Sequence, residues 1–149
     1  MTSPPSLLVH ATAVAVNGLA VLLQGPPAAG KSDLALRLIE EGALLVADDQ
    51  TELDRAETEL RARPPVRLAG LIEVRGIGIV RMPHLGEAPL ALVVALVSAD
   101  EVERLPEPET VTLLGLDLPL IRLDPFAASA TAKLRLAVRV ATGSIIPER

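Results

Sequence analysis

The stretch Gln24–Asp33, QGPPAAGKSD, decides the fold. Two glycines bracket two prolines and two alanines, and a Lys-Ser pair follows the second glycine. Residues this small pack little, yet half of the chain's residues are hydrophobic. A segment that cannot fill a core is shaped to wrap something else. Its flanks say how it is held. Leu19–Leu23, LAVLL, reads as a short strand, and Leu34–Gly42, LALRLIEEG, as an amphipathic helix with a glycine stop.

Strand, small-residue turn and helix follow in that order, and Gly25, Gly30, Lys31 and Ser32 stand at G-x-x-x-x-G-K-[ST] spacing. That is the phosphate-binding loop. A triphosphate needs a ring of backbone N–H donors, and small residues let the backbone close around it. The helix that follows turns the positive end of its dipole toward the anion. Gly25, Pro26, Pro27, Ala28, Ala29, Gly30, Lys31 and Ser32 form this cradle, with Lys31 on the β- and γ-phosphates and the Ser32 hydroxyl on Mg²⁺. Pro26 and Pro27 remove two N–H donors, so the other amides do the cradling. The competing reading is a chance match in an ordinary strand–turn–helix, with odds of roughly one in a few hundred for a chain this long.

Working outward, Asn17-Gly18 between Leu7–Val16 and Leu19–Gln24 predicts a β-hairpin. The loop helix runs from Lys31 to Glu41, and Gly42 takes the left-handed stop position. Ala43–Asp49, ALLVADD, reads as a strand buried on both faces, with its acidic end at the sheet rim. The polar stretch TELDRAETELRARPP predicts a short exposed hairpin, and Leu90–Ser98 another buried strand. Leu71–Val80 alternates in part, interrupted by Gly76 and Gly78. Glu109–Leu123 predicts two strands around a turn, and Asp124-Pro125 the cap and first-turn proline of a last helix ending near Val140. Without repeats or linkers, residues 1–149 read as one domain.

Composition narrows the function classes. The formal net charge is −5, and the chain has one Phe with neither Trp nor Tyr. No basic stripe or set of stacking aromatics is available for nucleic acid. The absence of cysteine excludes disulfides, thiolate metal sites and a Cys nucleophile. No apolar run is long enough to span a bilayer, which sets no membrane partner and a cytoplasmic location as the expectation.

Asp48 and Asp49 lie 17 and 18 positions after Lys31, at a strand end. Behind a phosphate loop such acids meet the metal or orient the nucleophile. Neighbouring strand residues point to opposite sides, so one of the two faces the γ-phosphate. The alternative is a pair of solvated turn residues.

His10–Asp49, HATAVAVNGLAVLLQGPPAAGKSDLALRLIEEGALLVADD, together with Glu73–Ile79, EVRGIGI, resembles the catalytic domain of HPr kinase/phosphorylase, over roughly residues 7–123. The resemblance implies an α/β fold, with a P-loop nucleotide-binding core like that of phosphoenolpyruvate carboxykinase and a mixed sheet with flanking helices. It implies an ATP- and Mg²⁺-dependent serine kinase acting on the phosphocarrier protein HPr, and assembly as a hexamer. Position by position, it assigns Asp49 as the carboxylate that takes the serine proton, with His10 beside it and Lys31 on the phosphates. Ser32 and Glu73 become magnesium ligands, joined by Asp48, and Arg104 the catalytic arginine. Read without the resemblance, His10 is a hydrogen-bonded structural residue, Glu73 a solvated strand residue, and Arg104 one half of a surface ion pair.

Two departures qualify the match. The chain is similar to short members that lack the family's N-terminal domain. The family's P-V-x-x-G-R-N segment, associated with dephosphorylation, is replaced by IRLDPFAASATAKLRLAV, so the resemblance carries the kinase reaction more safely than its reverse. His84, in RMPHLGEAP, reads as part of a surface loop. Two other readings share the loop. One is a small-molecule kinase, for which RARPPVR is the only arginine-rich candidate lid; the other is a regulatory module that senses nucleotide without transferring phosphate.

Overall fold

The apolar runs become strands in the computed structural model, which describes residues 6–148. In chain order these are β1 (Ser6–Val9), β2 (Thr12–Val16) and β3 (Leu19–Gln24), then α1 (Lys31–Glu40) and β4 (Leu44–Ala47). The hairpins β5 (Thr51–Ala56) with β6 (Glu59–Arg63) and β7 (Leu71–Val74) with β8 (Gly78–Arg81) follow. The long β9 (Ala88–Leu96), the hairpin of β10 (Glu109–Leu113) and β11 (Leu116–Leu123), and α2 (Ala130–Ala141) complete the order. Asn17 and Gly18 join β2 to β3 at φ 52° and 80°, both positive as a tight hairpin turn demands. Gly42 ends α1 at φ 111°. Among the described residues no helix is long and apolar enough to cross a membrane.

The main sheet is mixed and runs β1-β5-β6-β9-β3-β2-β4. It forks at β9. The first residues of that strand, Ala88 and Pro89, pair antiparallel with β6, and its last four, Val93–Leu96, pair parallel with β11. Alternation along β2 and β3 divides the core in two. Val14, Val16, Val21 and Leu23 face the helices and pack with Leu34 and Leu38 of α1 and Leu134 and Val138 of α2. Ala13, Ala15, Ala20 and Leu22 face the other way, toward Leu53, Leu60 and Leu118. The α/β class and mixed sheet agree with the sequence reading, but the two helices share one face. The opposite face is lined by alanines and closed by the sheet's own curled arms.

Three local expectations change. Leu7–Val16, expected to be one strand, breaks at His10-Ala11, so that β1 pairs with β5 while β2 pairs with β3 and β4. The Thr51 hydroxyl donates to the Ala11 carbonyl at 2.9 Å and holds the break. The Thr51–Arg63 hairpin is part of the main sheet, with Leu53, Leu60 and Ala62 buried. Its charged residues face outward and pair across the strands, Arg63 with Asp54 at 2.8 Å and with Glu52 at 3.1 Å. Asp124-Pro125 does not start the last helix: the Asp124 carboxylate accepts the Phe126 N–H at 2.9 Å in a local turn, and Ser129 precedes the helix instead. His84 lies on the surface, as expected, and bridges to Leu45 along the open edge of β4.

Candidate active site

β3 and β9 are parallel, and Gln24 is level with Ala95, so the Gly25–Ser32 loop leaves the sheet beside the end of β9. Close packing explains its first glycine. A Cβ on Gly25 would come within 2.8 Å of the Ala29 Cβ and 3.4 Å of the Leu96 Cβ. Gly30 combines φ 100° with a neighbour: its Cβ would meet Phe126 Cζ at 3.1 Å. Ala28 also takes a left-handed conformation, φ 65°, which costs a non-glycine residue about 1–2 kcal/mol. The loop thus holds backbone strain that its spacing did not reveal. The Ala29 N–H closes an internal turn on the Pro26 carbonyl at 3.1 Å, and Lys31 Nζ arches back to the Gly25 carbonyl at 2.8 Å. No side chain caps α1 at Gly30, so its first N–H groups face the cradle.

One carboxylate organises the rim beside the loop. Asp48, buried at the end of β4, accepts three hydrogen bonds. Ser32 Oγ donates to Oδ1 at 2.7 Å, Thr12 Oγ1 to the same oxygen at 3.1 Å, and the Glu73 N–H to Oδ2 at 2.9 Å. Thr12 Oγ1 in turn accepts the Asp49 N–H at 3.1 Å. The starts of α1 and β2 and the later half of the hairpin strand β7 are therefore gathered on the acidic end of β4.

Asp49 is turned the other way. It sits at φ 65°, exposed, so the two adjacent acids separate into one internal and one outward-facing group. The register that pairs Val9 with Thr51 brings His10, itself exposed, to the same end of the ladder as Asp49. Glu73 joins the cluster through its backbone, with its side chain exposed. Arg104 is exposed on the segment after β9, which leaves the sheet at the same end as the loop. It is not half of a surface ion pair: among the described residues the paired arginines are Arg37, Arg61, Arg63, Arg122 and Arg135. Thr12 was missed by the sequence reading. Its signal was a lone hydroxyl in the buried run TAVAV.

Among the described residues no three His, Cys, Asp or Glu side chains gather into a metal cage. Ser32 and Asp48 nonetheless place a hydroxyl and a carboxylate 2.7 Å apart, with the Glu73 N–H bonded to the same carboxylate. A few hard oxygen donors are what Mg²⁺ takes, since it keeps most of its waters. The donor set fits that ion.

Comparison with known proteins gives the same family by three routes. Residues 3–135 match the family model described as HPr Serine kinase C-terminal domain. The HPr kinase/phosphorylase of Bordetella pertussis is 39% identical over 142 residues, covering 87% of this chain and 46% of that protein. That of Clostridium acetobutylicum is 40% identical over 81 residues, covering 54% of this chain and 27% of that protein. The chain thus spans less than half the length of these curated relatives. The solved structure of the Hpr(Ser) kinase/phosphatase from Coxiella burnetii superimposes with a TM-score of 0.82 at 25% identity, over 93% of this chain and 97% of that one.

Proposed function

This chain belongs to the HPr serine kinase C-terminal domain family, and on that premise we propose that it is an ATP- and Mg²⁺-dependent kinase that phosphorylates a serine of the phosphocarrier protein HPr. The observation that carries the reading is the 2.7 Å hydrogen bond between Ser32 and Asp48. It joins the start of the phosphate-loop helix to the acidic strand end, the two parts that a phosphoryl-transfer site must bring together.

The residues divide the work. The loop amides and the first turn of α1 hold the triphosphate, and Lys31 swings from the Gly25 carbonyl to the phosphates. Ser32, Asp48 and Glu73 would hold Mg²⁺, which would supply positive charge against the phosphate oxygens. Asp49, outward on its turn, meets the incoming serine and takes its hydroxyl proton. The serine oxygen bonds to the γ-phosphorus as the bond to the bridging oxygen breaks, and ADP leaves. Arg104 offsets the charge that develops, and His10 orients Asp49.

Transfer of labelled γ-phosphate from ATP to purified HPr, with wild type and Asp49→Asn in parallel, tests the proposal. Label on HPr from the wild type alone is the expected result. No label from either protein, with ATP still bound, would sink the kinase reading for this acceptor.

A further inference from the structure

The chain has one Phe, Phe126, and neither Tyr nor Trp. It is not in the core: 71% of it is exposed, whereas the core is built from aliphatic side chains. Its place is against the phosphate loop. A Cβ on Gly30 would lie 3.1 Å from Phe126 Cζ and 3.3 Å from Cε1, so the ring rests edge-on against the residue before Lys31 and leaves most of its surface open.

The turn that carries the ring is fastened to the loop's own helix. Asp124 accepts the Phe126 N–H at 2.9 Å, and Arg37 of α1 donates to the Pro125 carbonyl while pairing with Asp33 at 3.2 Å. The ring is therefore positioned by the same helix that presents Ser32. An apolar ring kept out of the core and pinned beside an anion cradle has a use if part of the bound anion is itself flat and apolar.

We infer that Phe126 is the surface on which the base of a bound nucleotide stacks. The inference rests on nucleotide binding at the phosphate loop, as proposed above. A triphosphate seated on residues 25–32 leaves its base and ribose beyond the cradle, and the chain has no second Phe and no Tyr or Trp to meet them. Stacking reads the π face and not the hydrogen-bonding edge, so adenine and guanine are both accepted.

Calorimetric titration with MgATP and with magnesium tripolyphosphate, which has no base, tests this on wild type, Phe126→Ala, Phe126→Leu and Phe126→Tyr. Phe126→Ala should weaken ATP binding by about ten- to a hundredfold and leave tripolyphosphate within about twofold. Phe126→Leu keeps an apolar contact on Gly30 without the π face and should lose ATP affinity as well, while Phe126→Tyr retains it. Equal weakening of both ligands would overturn the inference, because the turn would then only brace the loop. So would a wild type that binds tripolyphosphate as tightly as ATP, which leaves the phosphate site intact and the base without a partner. A wild type that binds neither ligand would overturn the phosphate-loop reading and the stacking role together.

Discussion

The two sides of the site are built differently. On the inner side Thr12, Ser32 and Asp48 are locked together by hydrogen bonds of 2.7–3.1 Å, with Thr12 fully buried and Asp48 nearly so. On the outer side Asp49, His10, Arg104 and the Glu73 side chain stand in solvent. Folding alone satisfies the first group, whose polar atoms would be costly to bury unpaired. The second group, already in solvent, costs folding little. An inward, hydrogen-bonded carboxylate and an outward, exposed one are thus separated by one peptide bond, between Asp48 and Asp49.

Mutations on the two sides should break this division unequally. The largest effect is on turnover: Asp49→Asn and Arg104→Ala should each slow phosphoryl transfer to HPr by roughly a hundredfold or more. Both residues are exposed, so thermal unfolding should shift by less than about 0.5 kcal/mol. A large stability loss in either variant would erase the contrast. Asp48→Ala should fail on both counts. It leaves the Thr12 and Ser32 hydroxyls and the Glu73 N–H without their acceptor, which costs about 1–3 kcal/mol in urea unfolding and impairs MgATP binding. Thr12→Val, near-isosteric, sharpens the comparison most. It strands the Asp49 N–H and removes one bond to Asp48, for a loss of about 1–2 kcal/mol. Its transfer rate should fall less than that of Asp49→Asn, and a larger fall would place Thr12 among the reacting groups.

How far the site was legible follows from the range of the forces involved. The strand–loop–helix of β3 and α1, the Asn17-Gly18 turn and the Gly42 stop were readable because each depends on backbone conformations set within a few residues. The acidic cluster was half readable. That a strand end would bring carboxylates to the rim followed from ALLVADD, but which acid would turn inward did not. The contacts that decide it span 36 residues to Thr12, 16 to Ser32 and 25 to Glu73. That the expected hairpin of β5 and β6 belongs to the main sheet was hidden for a related reason: its charges look solvated in sequence and become cross-strand pairs once Glu52 lies opposite Arg63.

The sequence by itself determined a strand–loop–helix unit, an acidic strand end, an α/β class and the family resemblance. Spacing, glycine placement and apolar runs are local properties, carried along the chain whatever it packs against. Only the tertiary structure decided that both helices share one face, that Asp48 is the acid bonded to Ser32, and that the Phe126 ring lies on Gly30. Those outcomes depend on strand order, with β2 set between β3 and β4 and the sheet forked at β9. Strand order is a choice among long-range pairings of similar strands, and the total burial and hydrogen bonding of the whole sheet makes it.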